Sequence, residues 1–154
     1  MLLCPSRRDF MNKKPNNSPR RGEFANRTLA RTVVFQVLFL TDVNPDITAD
    51  WVNEFLAEQL PDHDQVIQFA ERLIKGVREN RSDLDQNLEQ KSKNWSLSRM
   101  SVTDRNVLRL ALYEMLYEKT PKPVVINEAI ELAKKFGSAD SSAFVNGILD
   151  QFNP

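Results

Sequence analysis

From Arg27 onward the apolar residues recur three and four positions apart, and no stretch of useful length alternates apolar with polar. A repeat near 3.6 residues places those side chains on one face of a helix, whereas a half-buried strand needs a repeat of 2. The chain is therefore predicted to be all-α. Asn26 is a good N-cap for a first helix that runs to Asp42, where Asn44-Pro45 stops it; Ala30, Val33, Val34, Val37, Leu38 and Thr41 form its core face. A second helix fits Thr48 to Leu60, with Trp51, Val52, Phe55 and Leu56 inward and Pro61 as terminator. A third starts at Asp62 and presents Val66, Ala70, Leu73, Val77, Leu84 and Leu88, with Gly76 and Asn80 as the two candidate bends. Three amphipathic helices with short connections make a bundle.

The second half repeats the theme. Ser101-Val102-Thr103-Asp104 has the form of a capping box and opens a fourth helix to about Lys119. Between Val107 and Tyr117 that helix is apolar nearly all round, so it is predicted to be the buried centre of this half. A fifth helix runs from Val125 to Phe136 and closes on Lys134, Lys135 and Gly137; a last one spans Ser141 to Phe152. Asn146-Gly147 would suggest a hairpin elsewhere, but Phe144, Ile148, Leu149 and Phe152 keep helical spacing around it.

A chain of 154 residues is the size of one core with a tail to spare. Residues 1–25 contain Pro5, Pro15, Pro19, Gly22 and a polar stretch from Asn12 to Arg21, and are predicted to be a flexible basic tail in which Met11 is an alternative start. The formal net charge is zero, yet it is unevenly spread. Residues 1–31 hold eight basic side chains against Asp9 and Glu23, a surplus of +6 that leaves −6 on the remainder. A basic arm on a mildly acidic body suits a protein that meets phosphates through one end; a solvated tail would look the same.

Catalysis finds few materials. The single Cys4 cannot form an internal disulfide or, with no second cysteine, a thiolate metal site, which points to a reducing compartment, the cytoplasm by default. No apolar run is long enough for a signal peptide or a membrane span. The only histidine, His63, stands among Asp62, Asp64 and Gln65 and is read as a surface residue. Four scattered glycines cannot cradle a phosphate, and Glu54/Glu58 and Asp83/Asp85 fall on predicted solvated faces. No enzyme, metal or cofactor is expected.

One constellation points to binding. Arg27, Arg31, Phe35 and Phe39 follow one another at i+4 along the flank of the first helix. RNA recognition uses this mixture, cations for phosphates and rings on which unpaired bases stack. Arg20 and Arg21, just upstream, could wrap the same strand. Two other readings stay open: Phe35 and Phe39 widening the core stripe, and Phe39 anchoring a protein partner. Arg105 and Arg109, with Glu114 and Glu118 further along, are read as structural ion pairs.

Arg27-x-x-Ala30-Arg31-x-x-x-x-Gln36-x-Leu38-Phe39 resembles the opening motif of the NusB family, and Leu108-Arg109-Leu110-Ala111-Leu112-Tyr113-Glu114 is similar to its central helix. Val125-Ile126-Asn127-Glu128-Ala129-Ile130-Glu131-Leu132-Ala133-Lys134, then Phe136-Gly137 and Phe144-Val145-Asn146-Gly147-Ile148-Leu149-Asp150, resembles the family's most specific stretch. The resemblance covers about residues 26–152. It implies two packed, perpendicular helical bundles of six to seven helices in a bacterial cytoplasmic RNA-binding domain, residues 26–154. It further implies binding of the single-stranded boxA element of ribosomal RNA leaders together with the small-subunit ribosomal protein NusE. That pair would join RNA polymerase and other Nus factors in transcription antitermination, with a role in ribosomal RNA maturation; a homodimer of the free protein stays open. Carried over, Arg27 and Arg31 would contact RNA, assisted by Arg20, Arg21 and Phe35, while Phe39, Asp104, Asp140 and Phe144 would face the RNA-and-partner surface. Thr28 and Leu29 stand where the family often has arginines, so the ribosomal partner is expected to supply a large share of the RNA affinity.

Overall fold

A computed structural model of the protein describes residues 19–93 and 95–154, and every regular element among them is helical. Seven α-helices follow in chain order: α1 Pro19–Val43, α2 Ala49–Gln59, α3 Asp64–Glu79, α4 Arg81–Lys91, α5 Val102–Leu116, α6 Lys122–Phe136 and α7 Ser141–Leu149, with a 3₁₀ turn at Leu97–Arg99 before α5. Two compact units divide the chain, one reaching Arg72 and the other Leu73–Pro154.

In the first unit α1 packs on α2. Ala30, Val33, Val34, Val37 and Leu38 are buried on one side and Val52, Phe55 and Leu56 on the other, the apolar stripes read from the sequence. Trp51 departs from its expected core place: it is 37% exposed, its indole stacked on Phe55 with centroids 5.0 Å apart, so it covers the core's edge. The Thr48 hydroxyl caps α2 by accepting the Trp51 N–H at 3.2 Å. Asn44 ends α1, its Oδ1 accepting the Asp46 N–H at 3.2 Å in a side-chain-closed turn that Pro45 favours.

The start of α1 lies at Pro19, upstream of the expected Asn26. Proline suits the first helical position, where its missing N–H would have had no partner. Residues 19–25 have no apolar stripe, so periodicity does not reveal this extension. Of the flexible tail expected over residues 1–25, residues 19–25 are helical instead, and the part before Pro19, with Cys4 and Met11, lies outside the described residues.

The second unit is built round α5, where Asn106 through Met115 are all buried, as its all-round apolar pattern predicts. Helices α4, α6 and α7 pack on it. The long third helix expected from the sequence is two helices, because Asn80 leaves helical geometry at φ −105° and ψ 13°. Its Nδ2 and its backbone N–H both donate to the Gly76 carbonyl, at 2.8 and 3.1 Å, so the first ladder runs up to Asn80 and the break follows it. Leu84 and Leu88 are nevertheless fully buried from α4, as their spacing requires. Asn146-Gly147 lies inside α7, where helical context overrides the turn preference. Lys119, at φ 57°, takes the left-handed conformation that turns the chain out of α5 towards α6.

The Ser101 half of the expected capping box forms, the hydroxyl accepting the Asp104 N–H at 3.0 Å. Ser101→Ala should lower stability by about 1 kcal/mol. Urea titration of the full chain measures this, and an unchanged midpoint would show that water replaces the hydroxyl at no cost.

Candidate nucleic-acid interface

Arg27 and Arg31 lie one turn apart on α1, and the structure brings both to a ring that sequence spacing does not single out. The guanidinium carbons of Arg27 and Arg31 stand 4.9 and 5.5 Å from the centroid of Phe69, on α3 in the same unit. Arg72, one turn beyond Phe69, brings a third guanidinium to 5.5 Å from that centroid. A cation over an aromatic face is attracted by the ring quadrupole. Phe69 is 5% exposed and Arg31 4%, so ring and guanidinium belong to the edge of the core. Arg27 is exposed and also meets Glu23 at 3.9 Å.

Sequence spacing joins Arg27, Arg31, Phe35 and Phe39 into one line, and the structure divides it. Phe35 is 1% exposed, with no ring face open to a base, so its expected stacking role gives way to core packing. Phe39 is half-buried and lies against Phe35, centroids 6.1 Å apart at 52°. An i+4 line along the margin of an apolar stripe passes from surface to core with a small rotation of the helix, which spacing does not fix. Arg20 and Arg21 fall within α1, but their side chains lie outside the described residues.

The residues carried over for a partner surface in the second unit have distinct surroundings. Asp104 is half-buried beneath the Ser101 cap, and its Oδ1 is a buried acceptor with no hydrogen-bond partner. Asp140 is exposed just before α7. Phe144 is half-buried and meets the Trp95 indole edge to face, centroids 6.4 Å apart. That pair, with Lys91, Lys93, Gly147 and Ile148, lines an open groove of about 470 Å³. Trp95 is 54% exposed, a large apolar surface whose position between helices gives it no periodicity to be noticed by.

Arg109 fulfils its expected structural role with an unexpected partner. Its Nε and Nη2 donate to the two oxygens of Asp85, at 2.6 and 3.0 Å, so Asp85 is not on a solvated face. Among the described residues no group of three His, Cys, Asp or Glu side chains could hold a metal ion, and no helix is long and apolar enough to cross a membrane.

The arrangement therefore gathers three guanidiniums at the Phe69 ring, Arg27 and Arg72 among them exposed, and offers an aromatic groove with two lysines in the second unit. Comparisons with known proteins bear on what it meets. The sequence profile of the NusB family matches residues 26–154. The transcription antitermination protein NusB of Anaeromyxobacter dehalogenans is 46% identical over 125 residues, covering 81% of this chain and 88% of the relative. The solved structure of T. maritima NusB superposes with a TM-score of 0.75 at 43% identity, covering 81% of this chain and 88% of that one. A crystal structure of antitermination factors NusB and NusE in complex with double-stranded RNA contains a chain that matches with a TM-score of 0.73 at 25% identity, covering 82% and 94% of the two chains.

Proposed function

Since the chain belongs to the NusB family, we propose that it is a transcription antitermination factor of the bacterial cytoplasm that binds boxA-type RNA together with ribosomal protein NusE. In this reading the pair joins transcribing RNA polymerase with other Nus factors, and the same complex assists ribosomal RNA maturation. Residues 26–154 form the RNA-binding domain, extended at its N-terminal end by the first turns of α1 from Pro19. Convergence of the Arg27 and Arg31 guanidiniums on one aromatic ring is the observation that carries the RNA contact. Cations held at fixed positions give up little freedom when they meet phosphates. The similar chain solved with NusE and RNA supports both partners. Phe39, Asp104, Asp140 and Phe144 are assigned to the partner side. The unpaired Asp104 oxygen and the Trp95–Phe144 groove support that assignment for the second unit.

Titration of labelled RNA at several salt concentrations, with and without NusE, tests the reading. Single-stranded boxA RNA should bind more tightly with NusE present, and log K should fall as log salt rises. Arg27→Ala should weaken binding roughly three- to tenfold while NusE capture persists, because it removes one exposed charge-assisted bond to phosphate. Equal binding of a scrambled strand in the ternary assay would sink the boxA reading, and preference for a duplex of the same sequence would overturn its single-stranded form. Partner capture without any RNA retention would leave a protein-interaction scaffold.

A further inference from the structure

We propose that Phe24 is a base-stacking residue of this interface, a ring on which an unpaired base of an RNA strand lies while a neighbouring phosphate meets Arg27; the inference rests on the RNA-binding reading above. Phe24 is 67% exposed, the most exposed of the large apolar side chains among the described residues. It sits in the N-terminal turns of α1, a stretch without an apolar stripe, so core packing does not account for a phenyl there. A lone exposed apolar side chain is ordinary; the place of this one sets it apart. At 3.6 residues per turn, Arg31 and Phe35 each fall within about 20° of Phe24 round the helix axis, and Arg27 within about 60°. The four residues therefore share one side of α1. Phe35 takes that side under the core, at 1% exposure, whereas Phe24, about three turns nearer the N-terminus, has the same heading beyond the core's edge.

The neighbours of the ring indicate the ligand. Residues 19–27 hold Arg20, Arg21 and Arg27 against Glu23, a formal surplus of +2. A strand drawn to that segment by its phosphates meets an uncovered ring one turn before Arg27, whose side chain is 50% exposed. Residues three apart on a helix have Cβ atoms about 5 to 6 Å apart, so a single nucleotide can reach both. Every base has a π-face, and an unpaired one stacks on an aromatic ring whatever its identity, while a duplex keeps its bases inside. The phenyl carries no charge, so the Glu23–Arg27 pair at 3.9 Å does not compete with a base for it. With two side-chain torsions, phenylalanine gives up little freedom when it is covered. Phe35, the ring that sequence spacing offers for stacking, is closed to a base, and Phe24 supplies the open face in its stead.

The full chain with saturating NusE is titrated with fluorescein-labelled single-stranded boxA RNA across a series of KCl concentrations, comparing the wild type with Phe24→Ala, Phe24→Leu and Phe24→Trp. NusE capture without RNA and the thermal midpoint are measured alongside. Phe24→Ala and Phe24→Leu should each weaken RNA binding about five- to fifteenfold, the low end of what one stacked base contributes. The steepness of log K against log salt should stay the same, because no charge is lost. Phe24→Trp should bind at least as tightly as the wild type, its larger ring offering more face. The thermal midpoint should hold in all three variants, as the exposure of the side chain requires. An unchanged affinity in Phe24→Ala, beside a wild type that binds in a salt-dependent way, overturns the assignment of Phe24 alone. Wild-type affinity in Phe24→Leu also overturns it, because apolar bulk without a ring would then suffice. Weaker binding accompanied by a shallower salt slope or a lowered thermal midpoint overturns it too, since the side chain would then act by placing the arginines or through packing. Failure of NusE capture in Phe24→Ala overturns it by assigning the ring to the protein partner. A wild type that shows no salt-dependent RNA binding overturns the underlying RNA reading, a result distinct from all of these.

Discussion

Asp85→Asn should destabilise the second unit by about 2 to 4 kcal/mol, more than the apolar replacement of its partner, Arg109→Met. Asp85 accepts from both Nε and Nη2 of Arg109, and Arg109 is 4% exposed. Removing the carboxylate charge leaves a guanidinium in a place that water hardly reaches, and an arginine cannot shed its proton to escape the penalty. Removing the guanidinium instead leaves a carboxylate whose side chain is 26% exposed and can be rehydrated. The thioether fills most of the vacated volume, so Arg109→Met should cost about 1 kcal/mol, some of it from the Asn106 Oδ1 that Arg109 meets at 3.4 Å. Chemical denaturation of both variants and of the double variant measures the difference. Equal effects, or a larger one for Arg109→Met, would show that the pair contributes attraction rather than relief of a buried charge. This bond ties α4 to α5, the helix whose first turn carries Asp104.

That pair also shows where sequence reading stops. A structural ion pair for Arg109 follows from the sequence, since a cation inside an apolar helix needs compensation. Its partner stands 24 residues upstream, where the polar pattern around Asp83 and Asp85 suggests a solvated face. Periodicity reports which face of one helix is apolar; it does not report which polar residue at the rim meets a neighbour. The same limit explains the Phe69 cluster. Arg27 and Arg31 stand out by charge, but Phe69 and Arg72 gain meaning only when α3 is laid beside α1. Phe35 and Phe39 share one spacing and differ in burial because the stripe ends between them. By contrast the all-round apolar α5, the Ser101 cap and the helical Asn146-Gly147 are legible, since each depends on residues within a few turns. The Asn80 break is half legible: two bends are open, and the structure places the break at Asn80, whose side chain folds back on the Gly76 carbonyl.

Gly76 is not the bend, and its role gives the other large effect. A Cβ built at Gly76 would overlap Cζ, Oη and Cε2 of the Tyr113 ring, closer than side-chain carbons ever stand. Those atoms lie at the far end of a side chain, but a rigid one: Tyr113 is 7% exposed and its ring stacks on Tyr117 with centroids 5.2 Å apart. Gly76→Ala gains roughly 1 kcal/mol of helix propensity and must displace a packed ring, so a net destabilisation of about 2 to 4 kcal/mol is expected. Gly147→Ala is the internal comparison. Gly147 also lies within a helix, with nothing within 4 Å of an added Cβ, so the same substitution there should stabilise by about 0.5 to 1 kcal/mol. Opposite signs for one chemical change separate close packing from backbone entropy. Tyr113→Ala opens the space and should make the destabilisation of the Gly76→Ala/Tyr113→Ala double variant smaller than the sum of the single effects. Thermal or urea unfolding of the wild type, the two single variants and the double variant decides the matter: strict additivity would mean that the methyl group at position 76 acts through something other than the tyrosine ring.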